Sequence, residues 1–175
     1  YGKSIDVRFT PIRVVCNNTL TLSLDRKSDQ SVKVGHRVEF NPDSVKEALG
    51  IAHEKFATYK EMAKFLGSKR YSVDSLIEYY NTVFPRTSDK RVQDKVLSID
   101  TLSRNAKLAH DSLQTQPGAT YAEGSWWQVF NSVTYITDHV QGRNADNRLY
   151  SSWFGGNQLR KKDALKTAIE FAEAA

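Results

Sequence analysis

Apolar positions along this chain repeat with two different periods, and the change from one to the other falls near residue 41. Residues 6–16, from Asp6 through Val7, Phe9 and Ile12 to Cys16, are β-branched and aromatic with partial alternation, which predicts a strand with Pro11 at an edge or a bulge. Asn17-Asn18 signals a turn. Thr19 to Leu24 alternate strictly and predict a second strand, although Asn18 could equally cap a short helix. After the polar stretch Asp25 to Gln30, the side chains of Val32, Val34, His36, Val38 and Phe40 share one face of a third strand, with Lys33, Arg37 and Glu39 opposite. Such a sheet needs a partner layer for its apolar face.

From Asn41, a good N-cap followed by Pro42, the period becomes helical. Val45, Ala48, Leu49, Ala52, Phe56, Tyr59, Met62, Ala63 and Leu66 predict a helix over 43–67, ended by Gly67. Leu76, Ile77, Tyr80 and Val83 predict a shorter helix over 73–84, stopped by Pro85. Val92, Val96, Ile99, Leu102, Ala106, Ala109 and Leu113 predict one long helix over 89–114, broken by Pro117-Gly118. Thr120 and Glu123 read as a capping box opening a helix to about Val140, closed by Gly142. Residues 158–174 read as the last helix, after Gly155-Gly156. There is no internal repeat and no low-complexity linker.

The expectation is therefore a single α+β domain over 1–175, β-rich to residue 40 and helical from 41, in which a small antiparallel sheet packs on a bundle of about five helices. Its 175 residues suffice for one core, and 39% apolar with 26% charged residues is ordinary globular usage. No apolar run approaches the roughly 18 residues of a membrane span, and the first residues carry no signal-peptide pattern. The lone Cys16 permits no internal disulfide and reads as a packed thiol, so a cytoplasmic location is expected. A formal charge of +5, from 25 basic and 20 acidic residues, makes polyanions plausible partners without demanding them.

Candidate chemistry concentrates in two segments. At about 100 degrees per residue, Trp127, Asn131, Thr134 and Asp138 line one stripe of a helix, beside a core face of Trp126, Phe130, Val133, Thr137 and Val140. A polar stripe at the core's margin is either a buried network clamping this helix to its neighbour or part of a ligand site. The second segment mixes Arg143, Arg148, Trp153, Arg160, Lys161 and Lys162 with Asn, Ser and Gly, the residue types that phosphate contact and base stacking require. Its bland reading is a loop stapled into the core by Trp153 and Phe154, with Arg160, Lys161 and Lys162 merely solvated.

Other chemistries find little support. His36, His53, His110 and His139 have no second ligand at i+3 or i+4, so neither a metal nor another cofactor is expected. Asp138 and His139 point apart on a helix. No glycine-rich phosphate loop exists. Nothing near Cys16 suggests an activated thiolate.

Three segments together carry a resemblance: Thr10 to Leu20 with Arg13, Cys16, Asn18 and Thr19; Trp127 to His139 with Asn131, Thr134, Asp138 and His139; and Arg143 followed by Phe154-Gly155 before a basic helix. They resemble the phage/plasmid-like family called domain of unknown function 932, and the resemblance spans the whole chain. It implies a longer N-terminus, with the present chain its C-terminal part and the sheet only half present. It also implies mobile genetic elements, a host cytoplasm, and a task in DNA replication, recombination or evasion of host defence, but no reaction.

The leading expectation is thus a DNA-associated accessory protein of a phage or plasmid, engaging single strands through Arg143, Arg148, Trp153 and Arg160 to Lys162. Its rivals are a module or oligomer that binds a host or phage protein through its helical faces, and an enzyme built on Asn18, Asn131, Asp138 and His139, to which the sequence gives less weight. No membrane partner is expected.

Overall fold

The computed structural model describes residues 4–8, 31–35, 43, 57–142 and 144–175. The chain divides into two compact units, Tyr1–Glu61 and Met62–Ala175. In the first, β1 (Ser4–Arg8) pairs antiparallel with β2 (Ser31–Gly35), with Ile5 opposite Val34 and Val7 opposite Val32. β2 opens where the third strand was expected, whereas the expected strand at 19–24 and most of that at 6–16 lie outside the described residues.

The second unit is helical. Its first helix, whose helical run over residues 57–68 (α1) begins before the boundary, puts Leu66 in its core, and α2 (Val73–Val83) starts at a Ser72 and Ser75 capping box. Then come α3 (Lys90–Gln93), a 3-10 turn at Ile99–Thr101, α4 (Arg104–Ser112) and a 3-10 turn at Ala119–Ala122. α5 (Trp126–Tyr135) runs straight into a π-helical turn, Ile136–Val140, before α6 (Ala145–Phe154) and α7 (Gly156–Glu173). α7 packs against α2, α5 and α6, while α4 packs against α2 and α5.

The expected α+β architecture, a sheet packed on a bundle, is overturned: the described residues are mostly helical, and every buried apolar residue among them lies between Leu66 and Ala172. Trp126, Tyr79, Tyr80, Phe130, Val129, Val133 and Ile136 fill the helical core, each worth about 1.5–3 kcal/mol of burial. Ala164, Ala168 and Ala172 form the facing stripe of α7, small enough to let α2 approach until the Tyr79 hydroxyl donates to Ala164 O at 3.1 Å. Of the alternating segments that suggested a small antiparallel sheet, the described residues hold a two-stranded ribbon of five residues a side.

Three further expectations are corrected. The helix expected over 89–114 is broken twice, because short hydroxyl side chains compete for backbone groups and favour caps over helix interiors. Thr101 Oγ1 accepts from Ser98 N at 2.9 Å, and Ser103 Oγ accepts from Ala106 N while donating to Phe84 O at 2.8 Å. Val96, counted as an interior position, is 85% exposed.

Thr120 opens no α-helix. Ser125 caps α5, and the buried Gln128 organises the segment before it, its Nε2 donating to Leu113 O and Ala119 O, each at 3.1 Å, and its Oε1 accepting from Gly124 N at 2.8 Å. Finally, residues 145–154, read as part of a loop, are helical: Asn144 caps α6 by accepting from Asn147 N at 2.8 Å.

Candidate functional site

The joint between α6 and α7 is as tight as a chain allows. A Cβ on Gly155 would lie 2.9 Å from Ser151 Cα, so only glycine lets one helix turn directly into the next. That turn brings Ser152 and Lys161 over the π-helical turn, where both donate to Asp138 Oδ1, Lys161 Nζ at 2.6 Å. Both members of the Asp138 and Lys161 ion pair have fully buried side chains.

The π turn explains why Asp138 points inward. Its wider hydrogen bonding, with Gln141 N donating to Ile136 O at 2.8 Å, delays the helical phase by about one residue. Asp138 is buried beside Thr137, and Val140, assigned to the core face, turns outward at 42% exposure. Within the helix, Asn131 Nδ2 donates to Trp127 O at 2.8 Å and Thr134 Oγ1 to Asn131 O at 2.9 Å. His139 is exposed and stacks on Tyr135, ring centroids 5.2 Å apart.

Above this buried joint lies a cleft of about 640 Å³. Arg104, Asn105 and Leu108 of α4 form one wall and Asn147, Arg148 and Ser151 of α6 the other, each set at i, i+1 and i+4 of its helix. Val140, Gln141 and Gly142 make the end between them. Gly142 adopts φ +98°, the left-handed region that favours glycine, and Arg148 folds across it with Nη1 donating to Gly142 O at 3.4 Å. Arg160 joins from α7: it is exposed, lies over the Phe84 ring, and donates from Nη1 to Gln141 Oε1 at 3.4 Å. Among the described residues no carboxylate lines the cleft. Two guanidinium groups in a cleft that no described carboxylate lines, with a third beside it, make a field that attracts anions.

Of the basic and aromatic residues singled out in the sequence, Arg148 lines this cleft and Arg160 touches Gln141 at its end. Lys162 is half-buried on α7. Lys161 is corrected outright: its ammonium is sealed against Asp138 and is unavailable to a phosphate. Arg143 and the side chain of Trp153 lie outside the described residues, as do Arg13, Cys16, Asn18 and Thr19. Among the described residues, no group of three or more His, Cys, Asp or Glu gathers to hold a metal ion, and no helix is long and apolar enough to cross a membrane.

Sequence reasoning missed Arg104 and Asn105, because one long helix over 89–114 hid the cap at Ser103 that aims them. The burial of Lys161 did leave a signal, since it stands three, seven and eleven residues before the alanines of the buried stripe of α7.

The match to a family extends from the first strand through this joint to the middle of α7. The chain belongs to the family described as domain of unknown function DUF932, matched over residues 2–166. Comparison with curated proteins and with solved structures gives no match. In this DUF932 chain, the Trp127 to His139 segment and the Phe154-Gly155 joint are thus parts of one construction: a helix ending in a π turn, and the glycine that swings Lys161 onto it.

Proposed function

We propose that this DUF932 chain is a phage- or plasmid-encoded accessory protein that binds single-stranded DNA, with the strand's backbone held at the arginine-lined cleft between α4 and α6. One observation carries the reading: Arg104 and Arg148, from two different helices, line a single cleft that no described carboxylate lines, and Arg160 of a third helix reaches Gln141 at its end. Arginine recognises phosphate oxygens through paired N–H donors, and each phosphate it neutralises releases condensed counterions. Leu108 and Val140 add apolar surface against which a sugar or base can lie. The association with mobile elements that the family resemblance implies is in keeping with a protein of this kind.

Fluorescence anisotropy of a labelled single-stranded oligonucleotide, titrated with the whole chain at several salt concentrations, tests the reading. Tight binding at low salt that weakens steeply as salt rises is the expected result. An oligonucleotide that is not retained at low salt, or whose affinity ignores salt, overturns it.

A further inference from the structure

The buried ion pair under the cleft is poorly made for stability alone. Asp138 Oδ1 accepts from both Lys161 Nζ, at 2.6 Å, and Ser152 Oγ, while Asp138 Oδ2 is buried with no hydrogen-bond partner among the described residues. A sealed carboxylate bonded at one oxygen leaves much of its desolvation cost uncompensated, and apolar side chains of similar volume would hold the two helices together as well. Where such a pair has a demonstrated use, it selects one arrangement of the chain over a near alternative.

A near alternative lies beside this pair. In the π turn Ile136–Val140, Gln141 N donates to Ile136 O at 2.8 Å, whereas in an α-helix the same N–H would donate to Thr137 O. The Thr137 carbonyl accepts instead from Asn157 Nδ2, at 3.1 Å, in the first turn of α7. α7 therefore holds the π turn at two points one helical turn apart, Asn157 on the Thr137 carbonyl and Lys161 on the Asp138 carboxylate. Directly after the turn comes the end of the cleft. Gln141 Oε1 accepts from Arg160 Nη1 and Gly142 O accepts from Arg148 Nη1, each at 3.4 Å. A change of one residue in helical register would rotate both of these anchors by about 100 degrees.

We infer that Asp138 and Lys161 are positioning residues: with Asn157 they hold the chain in the π register, and so fix the two anchors on which Arg148 and Arg160 are aimed. Without them the turn relaxes to an α-helix, Gln141 N passes from Ile136 O to Thr137 O, and the end of the cleft moves. The inference deepens the strand-binding reading and rests on it for the consequence in binding, while the register is a separate observable.

Asp138→Leu combined with Lys161→Met separates positioning from packing, because it exchanges the pair for apolar groups, leaves the net charge at +5 and alters no residue that lines the cleft. On the whole chain, NMR couplings through the hydrogen bond report which carbonyl receives the Gln141 N–H, urea unfolding reports stability, and anisotropy of a labelled single-stranded oligonucleotide at low salt reports binding. The parent chain should show the coupling to Ile136. The double variant should keep most of the parent's stability, show the coupling moved to Thr137, and bind the oligonucleotide about fivefold or more weakly. Should the double variant not fold, Asn157→Ala, at a half-buried position, removes the other hold on the turn and should show both couplings side by side. A coupling to Ile136 at parent strength in every variant that folds overturns the inference, and so does a double variant that shifts to Thr137 yet binds like the parent. If the parent chain retains no oligonucleotide, the strand-binding reading falls, and the couplings alone decide whether the pair sets the register.

Discussion

Asp138 and Lys161 meet at 2.6 Å with both side chains fully buried, and Ser152 donates to the same carboxylate oxygen. Removing two charges from water is expensive, so such a pair adds little net stability over an apolar pair of equal volume. Breaking it by removing one partner is different, because the survivor becomes an uncompensated buried charge, at a cost of about 3–5 kcal/mol. Asp138→Leu should therefore lose about that much in urea unfolding, and adding Lys161→Met should restore most of it. Equal destabilisation in the single and double variants would mean that the ion pair is not what holds α7 to the π turn.

Tyr79 and Tyr80 carry a second prediction at this scale. Burial pushes both hydroxyls above the ordinary tyrosine range, most strongly for Tyr79. The Ser132 hydroxyl, 2.8 Å from that of Tyr80, opposes the shift there only in part. The unfolded chain releases these protons near pH 10 while the folded chain keeps them. Their contribution to stability is thus complete below that pH and falls as the pH rises above it. Tyrosinate absorbance followed through an alkaline titration should show two rings that ionise only as the fold is lost, visible as a step coincident with the loss of helical circular dichroism.

At the scale of elements, Gly155 decides whether α6 and α7 can be consecutive. Its φ of −121° is open to any residue, so the requirement is space alone: a Cβ would press on the Ser151 backbone, which cannot swing aside as a long side chain does. Gly155→Ala should cost about 1–3 kcal/mol in chemical denaturation. The cost should be shared with the buried pair, since pushing the helices apart also draws Lys161 from Asp138. Additive losses in Gly155→Ala combined with Asp138→Leu would separate the two effects and count against that coupling.

How much of this could be read from sequence differs by element for physical reasons. α2 was legible almost to the residue, expected over 73–84 and found over Val73–Val83, because apolar period, Ser72 cap and Pro85 all agree. The expected helix over 89–114 failed where the period of Val92, Val96 and Ile99 continued through hydroxyl residues that capture the backbone at 98 and 103. α6 was hidden because its strongest cue, the Asn144 cap, sits inside a polar stretch that reads equally well as loop. The π turn changes the period itself, so a count at 100 degrees per residue sends Val140 inward and misaligns Asp138. The cleft inherits all three failures: its walls are the misread helices and its end is the misread turn.

For the whole molecule, a net charge of +5 spread over 25 basic and 20 acidic residues does not by itself select a partner, since interleaved charges largely cancel beyond a Debye length of about 10 Å. What distinguishes the cleft is local imbalance, and local imbalance has a measurable slope. On a single strand each neutralised phosphate contributes about −0.7 to the dependence of log affinity on log salt, so three arginines predict a slope of about −2. Replacing Arg104 and Arg148 together by alanine should leave a slope of about −0.7, carried by Arg160, and should lower affinity at low salt far more than at high salt. Arg104 is exposed and Arg148 only half-buried, so the melting temperature should barely move. A slope unchanged in the double variant would mean that the strand is held by charges elsewhere on the chain, and that this cleft is not where DNA is bound.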